Sequence, residues 1–304
     1  MRPPRWTLAA LAVALAPACG GLHAQQAAPG PPELLLRYEY QGRFAYGRVE
    51  RGVVHELPGA DLFTAAVNAP TGRRYPLESV RPLQPLEPEL VEKVLAVSDN
   101  TRRPGRMGPV PHPRWHALFP SSLSGHEAEV EVPAEARNFS YAGGLVVIVG
   151  RQGRHIPEGE AARYVWGVTV GSQFSEAGWF AERRGSAEPG RIPAAAGDGW
   201  APTGPFVARN LDYGNLRVET RLNGEVVQSG RTSDLVNGIP SLIAHISRYV
   251  TLKPGDLIFV GTVPYREGAR RTLAAGDVVE VEIQGIGTLR NRIVPMPTTP
   301  GGRP

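Results

Sequence analysis

Three histidines, His112, His116 and His126, fall within fifteen residues of one another. Imidazole binds divalent metals and titrates near neutral pH, so such a density raises a metal or general-base role. The segment is rich in proline and shows neither helical nor strand spacing, which makes ordinary surface histidines the competing reading. Just upstream, Arg102 and Arg103 have the planar fork that grips a carboxylate through two parallel hydrogen bonds; the alternative is an exposed basic loop. Cys19 is the only cysteine, and it lies in an N-terminal stretch with the pattern of a cleaved leader. Cysteine nucleophiles and thiolate metal sites therefore drop out. No Gly-x-Ser-x-Gly elbow, phosphate-binding loop or dinucleotide fingerprint occurs, so serine-hydrolase and nucleotide chemistries have no support.

The elements that must position these residues begin after that stretch. Arg2 and Arg5 precede an apolar run from Leu8 to Ala18, too short to span a bilayer, and small residues follow. This is the layout of a secretory signal over residues 1–24, ending in Leu22-His23-Ala24, and it implies an exported, periplasmic protein. Cys19-Gly20 offers the alternative of a lipid anchor through Cys19, although Ala16-Pro17-Ala18 is a poor acylation motif. Without residues 1–24 the chain carries 31 basic and 29 acidic side chains. That near-neutral balance gives no electrostatic footprint for nucleic acid. No later segment is long and apolar enough for a transmembrane helix. Residues 25–33 read as a linker. Residues 34–92 read as a small N-terminal β domain, because Leu34–Tyr38, Phe44–Val49 and Val53–His55 alternate and are separated by glycine and charged turns. A larger domain follows over 93–296, with a tail over 297–304. Leu145–Val149 is a short apolar run expected to be a strand buried on both faces. Asn223-Gly224 marks a hairpin tip, and Pro240 opens the one strong helix.

The C-terminal half carries a dense set of specific residues in a fixed order. Asn223-Gly224-Glu225-Val226-Val227-Gln228 leads to Arg231-Thr232-Ser233-Asp234 and Ile239-Pro240-Ser241-Leu242-Ile243. Ser247 to Asp256, Val260-Gly261-Thr262 and Gly285 to Asn291 follow. In this it closely resembles the fumarylacetoacetate hydrolase family. The resemblance implies an α+β, mostly β fold: a β-roll preceded by the small N-terminal β domain, normally as a homodimer. It also implies a small-molecule oxo-acid or enol as partner. In that family magnesium or manganese chelates the oxo and carboxylate oxygens of the substrate and stabilises the enolate. Two glutamates one residue apart, on one face of a strand, and a nearby aspartate hold the ion.

The match fails at those three positions. Ala142 and Gly144 stand where the glutamates would be, and Gln173 stands for the aspartate. The family's lysines align with Leu118 and Ala195, and its histidine with Pro104; Lys93 and Lys253 are the only lysines in the chain. No metal and no other cofactor is therefore expected. The resemblance keeps Asn100, Gln228, Thr232, Gly261 and Thr262 as a substrate-binding pocket floor. It also places His116 in the pocket-lining segment, Arg102 in the segment that approaches substrate, and Tyr141 beside the lost glutamates. These three are the candidate catalytic residues. Glu176, Asp198 and Asp99 could supply relocated metal ligands, or be solvated carboxylates and turn caps. The readings that remain are a repurposed hydrolase, isomerase or cyclase working without metal, a non-catalytic binding protein, and an ordinary metal-dependent hydrolase with relocated ligands.

Overall fold

The computed structural model describes residues 31–102, 112–182 and 195–297. Arg103 and Pro104, the leader, most of the linker and most of the tail lie outside them. Alternating apolar residues with glycine and charged turns produce an N-terminal meander: β1 (Glu33–Tyr40), β2 (Arg43–Glu50), β3 (Val53–Leu57), β4 (Arg74–Pro76) and β5 (Arg81–Pro82). A short helix, α1 (Leu62–Ala65), sits between β3 and β4, and Asp61 caps it by accepting the Thr64 N–H at 2.7 Å. The turns at Gln41-Gly42 and Arg51-Gly52 take positive φ at both residues, which lets β1–β2 and β2–β3 close as tight hairpins.

The remaining strands are β6 (Val94–Ser98), β7 (Arg114–Leu118), β8 (Leu123–Ser124), β9 (Glu129–Val132), β10 (Phe139–Val149), β11 (Val165–Glu176), β12 (Ala201–Arg209), β13 (Arg217–Leu222), β14 (Glu225–Arg231), β15 (Leu257–Phe259), β16 (Val278–Ile283) and β17 (Gly287–Pro295). Helix α2 (Ala177–Glu182) follows β11, and α3 (Ile239–Ile246) opens with Pro240 in its first turn. Asn223 and Gly224 both have positive φ at the tip joining β13 to β14, as the hairpin signal requires.

The strands form two sheets. The larger runs β4-β3-β2-β1-β12-β11-β10-β15-β6-β7, with β5 beside β1 and β8 beside β12; the smaller runs β14-β13-β16-β17-β9. Because β1 pairs antiparallel with β12, residues 34–92 extend the larger sheet directly, and residues from Pro31 onward form one compact unit. The sheets pack through one large apolar cluster that includes Tyr141, Leu145, Val147, Val168, Val170 and Phe174. A second cluster lies on the opposite face of β10, with Val146, Ile148, Phe259, Leu118 and Ala201. Strand β10 is thus buried on both faces, as the apolar run Leu145–Val149 requires.

Candidate functional site

Strands β10 and β11 are paired so that Ala142 lies opposite Gln173 and Gly144 opposite Gly171. Strand alternation puts these four on one face and turns Tyr141, Gly143 and Leu145 to the other. The site is therefore decided on the Ala142 face, at the end of the second apolar cluster.

His116 reaches that face from far away in the sheet. The segment around it is not an unaligned loop: Arg114–Leu118 is β7, and its register places His116 opposite Ala96. The spacing Trp115, Ala117 against His116, Leu118 was the strand signal, masked by the prolines before it. From β11 to β7 there are four strand steps, about 19 Å across a flat sheet. Yet His116 Nε2 lies 3.2 Å from Gln173 Nε2. The sheet must roll over to make that contact, and the roll brings the sequence-derived base candidate to Gln173. The amide nitrogen only donates, so His116 Nε2 is the acceptor as placed; the opposite tautomer would go with the amide turned over.

Gly144 has a different occupant. The loop after β15 is clamped along the free edge of β10: the Val260 N–H donates to Leu145 O at 3.1 Å and the Thr262 hydroxyl to Gly143 O at 2.6 Å. Between those two bonds the carbonyl oxygen of Gly261 stands where a Cβ on Gly144 would be. Gly261 itself has φ +112°, with Asn100 Cβ at 3.0 Å from the place of its own missing Cβ. Both positions therefore demand glycine for geometric reasons.

The expected pocket floor serves mostly to hold this loop. Asn100 is buried; its amide donates to Val260 O at 2.8 Å and Asn237 O at 3.0 Å, and its oxygen accepts the Asn237 N–H at 2.8 Å. Thr101 donates to Thr262 O. Gln228 donates to the Thr262 hydroxyl at 3.1 Å and to Val263 O at 3.2 Å. Thr232 accepts the Leu216 N–H at 2.8 Å and donates to Tyr213 O at 2.7 Å. Side chains expected to touch a ligand are thus largely committed to internal hydrogen bonds, the exception being the buried Gln228 Oε1, which accepts from no described residue.

Of the other candidates, Tyr141 is turned into the main core, its ring edge-on to Tyr265 at 5.7 Å. Burial pushes its phenol well above the ordinary range, and the strand's alternation keeps it off the Ala142 face. Arg102 is exposed, and its backbone N–H donates to Asp234 O at 3.0 Å. His112 pairs with His245, ring centroids 6.1 Å apart, and His126 Nδ1 accepts the Arg290 N–H at 3.2 Å. Glu176 is fully buried and accepts the Asn138 and Gly178 N–H groups at 2.7–3.0 Å. Asp99 pairs with Arg114 at 3.2 Å, and Asp198 is exposed. Leu118 and Ala195, where the resemblance would place lysines, are buried together in the second apolar cluster. The two real lysines converge on one carboxylate: Glu92 accepts Lys93 at 2.8 Å and Lys253 at 2.5 Å, which lowers its pKa to about 2.

Residues 90–294 match the family described as Fumarylacetoacetate (FAA) hydrolase C-terminal, and residues 34–85 match Rv2993c-like, N-terminal. The chain belongs to the fumarylacetoacetate hydrolase family. A protein of Archaeoglobus fulgidus, itself uncharacterized, is 36% identical over 258 residues, covering 83% of this chain and 95% of the relative. The human mitochondrial oxaloacetate tautomerase FAHD2A is 35% identical over 193 residues, 61% of this chain and 60% of that one. Among solved structures, 5-carboxymethyl-2-hydroxymuconate delta-isomerase from Mycobacterium smegmatis superposes with a TM-score of 0.74 at 28% identity, covering 87% of this chain and all of that one. Fumarylacetoacetate hydrolase family enzymes of hydrolase and isomerase type are therefore homologues.

Within this family member the groups on the Ala142 face are a methyl, a neutral amide, an imidazole and a backbone carbonyl. Among the described residues, no three His, Cys, Asp or Glu side chains come together as a metal-binding group. A hard divalent cation is held by several oxygens, carboxylates among them. The donors on this face do not fit one.

Proposed function

We propose that this protein binds a small oxo-acid or enol without a divalent cation and moves a proton on it through His116. The observation that carries the reading is the Gly261 carbonyl in the place of the Gly144 side chain. A glutamate introduced there would collide with a loop pinned by Asn100, Thr101 and Thr262. A carboxylate at this position would therefore require the loop to move.

Tautomerisation and isomerisation fit the groups that remain. They need a proton taken from one ligand atom and returned to another, with no water or co-reactant, and one imidazole can do both. The similarity to a tautomerase and an isomerase supports that reaction class. Gln173 acts as a positioning residue, because its amide contacts His116 Nε2 and holds the ring in place.

The test has two readouts. Calorimetric titration of Mn²⁺ and Mg²⁺ should give no binding tighter than about millimolar, the range of a site without carboxylates; tight one-to-one binding would sink the metal-free reading. Deuterium exchange at C3 of oxaloacetate in D₂O with EDTA should be accelerated by the protein. It should fall about a hundredfold in His116→Gln, the usual worth of a general base. Exchange that requires added metal would oppose the proposal.

A second reading is favoured by the commitment of Asn100, Thr232, Gln228 and Thr262 to internal hydrogen bonds. A scaffold kept for binding alone would keep them too. Ligand binding without any deuterium exchange selects this non-catalytic protein. The pattern of residues 1–24 motivates export in either case. An N-terminus at Gln25 on protein recovered from the periplasm would support it, and retention of an uncut chain in the cytoplasm would count against it.

A further inference from the structure

The loop after β15 presents three successive carbonyls, and their fates differ. Val260 O accepts the Asn100 amide at 2.8 Å, and Thr262 O accepts the Thr101 hydroxyl. No donor among the described residues reaches the carbonyl of Gly261 between them. That oxygen is turned onto the Cα of Gly144, on the same strand face as Ala142 and Gln173. A half-buried carbonyl that no protein donor occupies is open to a donor supplied from outside the protein.

Resting on the metal-free reading above, we infer that the ligand places a hydrogen-bond donor against the Gly261 carbonyl. In the family pattern this position carries a carboxylate whose role is to bind a cation, and the cation in turn takes ligand oxygens that are acceptors only. Replacing carboxylate and cation by a bare carbonyl reverses the requirement on the ligand. An oxygen lone pair there repels a carboxylate or oxo oxygen and attracts an O–H or N–H.

About 7 Å away along the strand, two residues on, the half-buried Ala142 lies opposite Gln173. The Gln173 amide and the His116 imidazole meet there at 3.2 Å. The Gln173 amide can donate to a ligand carbonyl or carboxylate oxygen once its contact with the imidazole is exchanged for the ligand, which leaves His116 Nε2 to accept a proton. The site thus selects compounds with a carboxylate or carbonyl next to a donor: an enol, a hydroxy acid or an amide. A dianion with acceptors only, such as oxalate, is disfavoured, and of the two tautomers of oxaloacetate the enol, which carries an O–H, is held better.

Oxamate and oxalate test this, since they differ by one NH₂ in place of a carboxylate oxygen. Each is titrated calorimetrically into the purified protein in EDTA at pH 7, and again with Mg²⁺. Oxamate should bind at least about tenfold more tightly than oxalate in EDTA, the worth of one satisfied hydrogen bond against an unmet acceptor. Added Mg²⁺ should change neither affinity. Oxalate binding as well as oxamate in EDTA would overturn the donor requirement while leaving the metal-free reading intact. Binding of either that appears only with Mg²⁺ would overturn both. Failure of both to bind at millimolar concentration would overturn the donor requirement and leave the exchange assay to judge the metal-free reading.

Discussion

At the scale of single residues, the two glycines that face each other across β10 and its loop say most about the site. Gly144→Ala adds a Cβ where the Gly261 oxygen stands, and the loop cannot retreat without breaking the bonds at Val260 and Thr262. The substitution should lower stability by about 1–3 kcal/mol, the range for overpacking, measured by urea denaturation. A neutral result would mean that the loop yields freely, and the argument against a carboxylate at this position would fall with it. The triple change Ala142→Glu, Gly144→Glu, Gln173→Asp should for the same reason fail to create a tight Mn²⁺ site. Sequence alone showed that Ala142, Gly144 and Gln173 are not carboxylates. It could not show that a backbone carbonyl stands against Gly144, because that depends on a loop more than a hundred residues away.

At the scale of elements, two ties hold the frame around the site. Asn100, in the turn after β6, bolts the loop after β15 to the segment before α3. Asn100→Ala should cost about 3 kcal/mol, since it strands a buried N–H and buried carbonyls, and thermal denaturation will read the loss. The second tie is His126, between β8 and β9, whose Nδ1 accepts the Arg290 N–H on β17. Burial lowers its pKa, Arg290 lowers it further, and Glu127 opposes them. The unfolded chain then takes up a proton more readily than the folded one. Stability from this group is complete above about pH 6.5, the unfolded value, and is lost as pH falls toward the lower folded value. His245, also depressed by burial, acts with the same sign. His126→Gln should flatten the fall in melting temperature between pH 7 and pH 5; an unchanged slope would remove His126 from the account. Hairpins, the Pro240 helix and the doubly buried strand were all readable from turn residues and periodicity. The strand carrying His116 was not, because five residues behind a proline-rich segment leave too short a pattern to separate from loop.

For the whole molecule, the decisive feature is the continuity of the larger sheet through the β1–β12 pairing. Composition and prolines suggested a small β domain over 34–92 beside a larger one. The hydrogen-bond ladder runs through that boundary, so residues 34–92 and the roll should unfold in one cooperative transition. Differential scanning calorimetry with two resolved peaks would show that the N-terminal strands melt on their own. The roll also explains why the fold was more legible than the site: membership follows from local motifs in order, whereas the His116–Gln173 contact exists only once the sheet has curled.

The convergence of both lysines on Glu92 has a practical consequence. Lys93 and Lys253 are the only lysine amines in the chain, and the pair occupies one corner beside Asp256. An amine-reactive dye or a surface activated for amine coupling would find side-chain targets only at that corner. Molecules tethered through it would share one orientation, which suits single-molecule and surface-binding measurements in which every copy should present the same face.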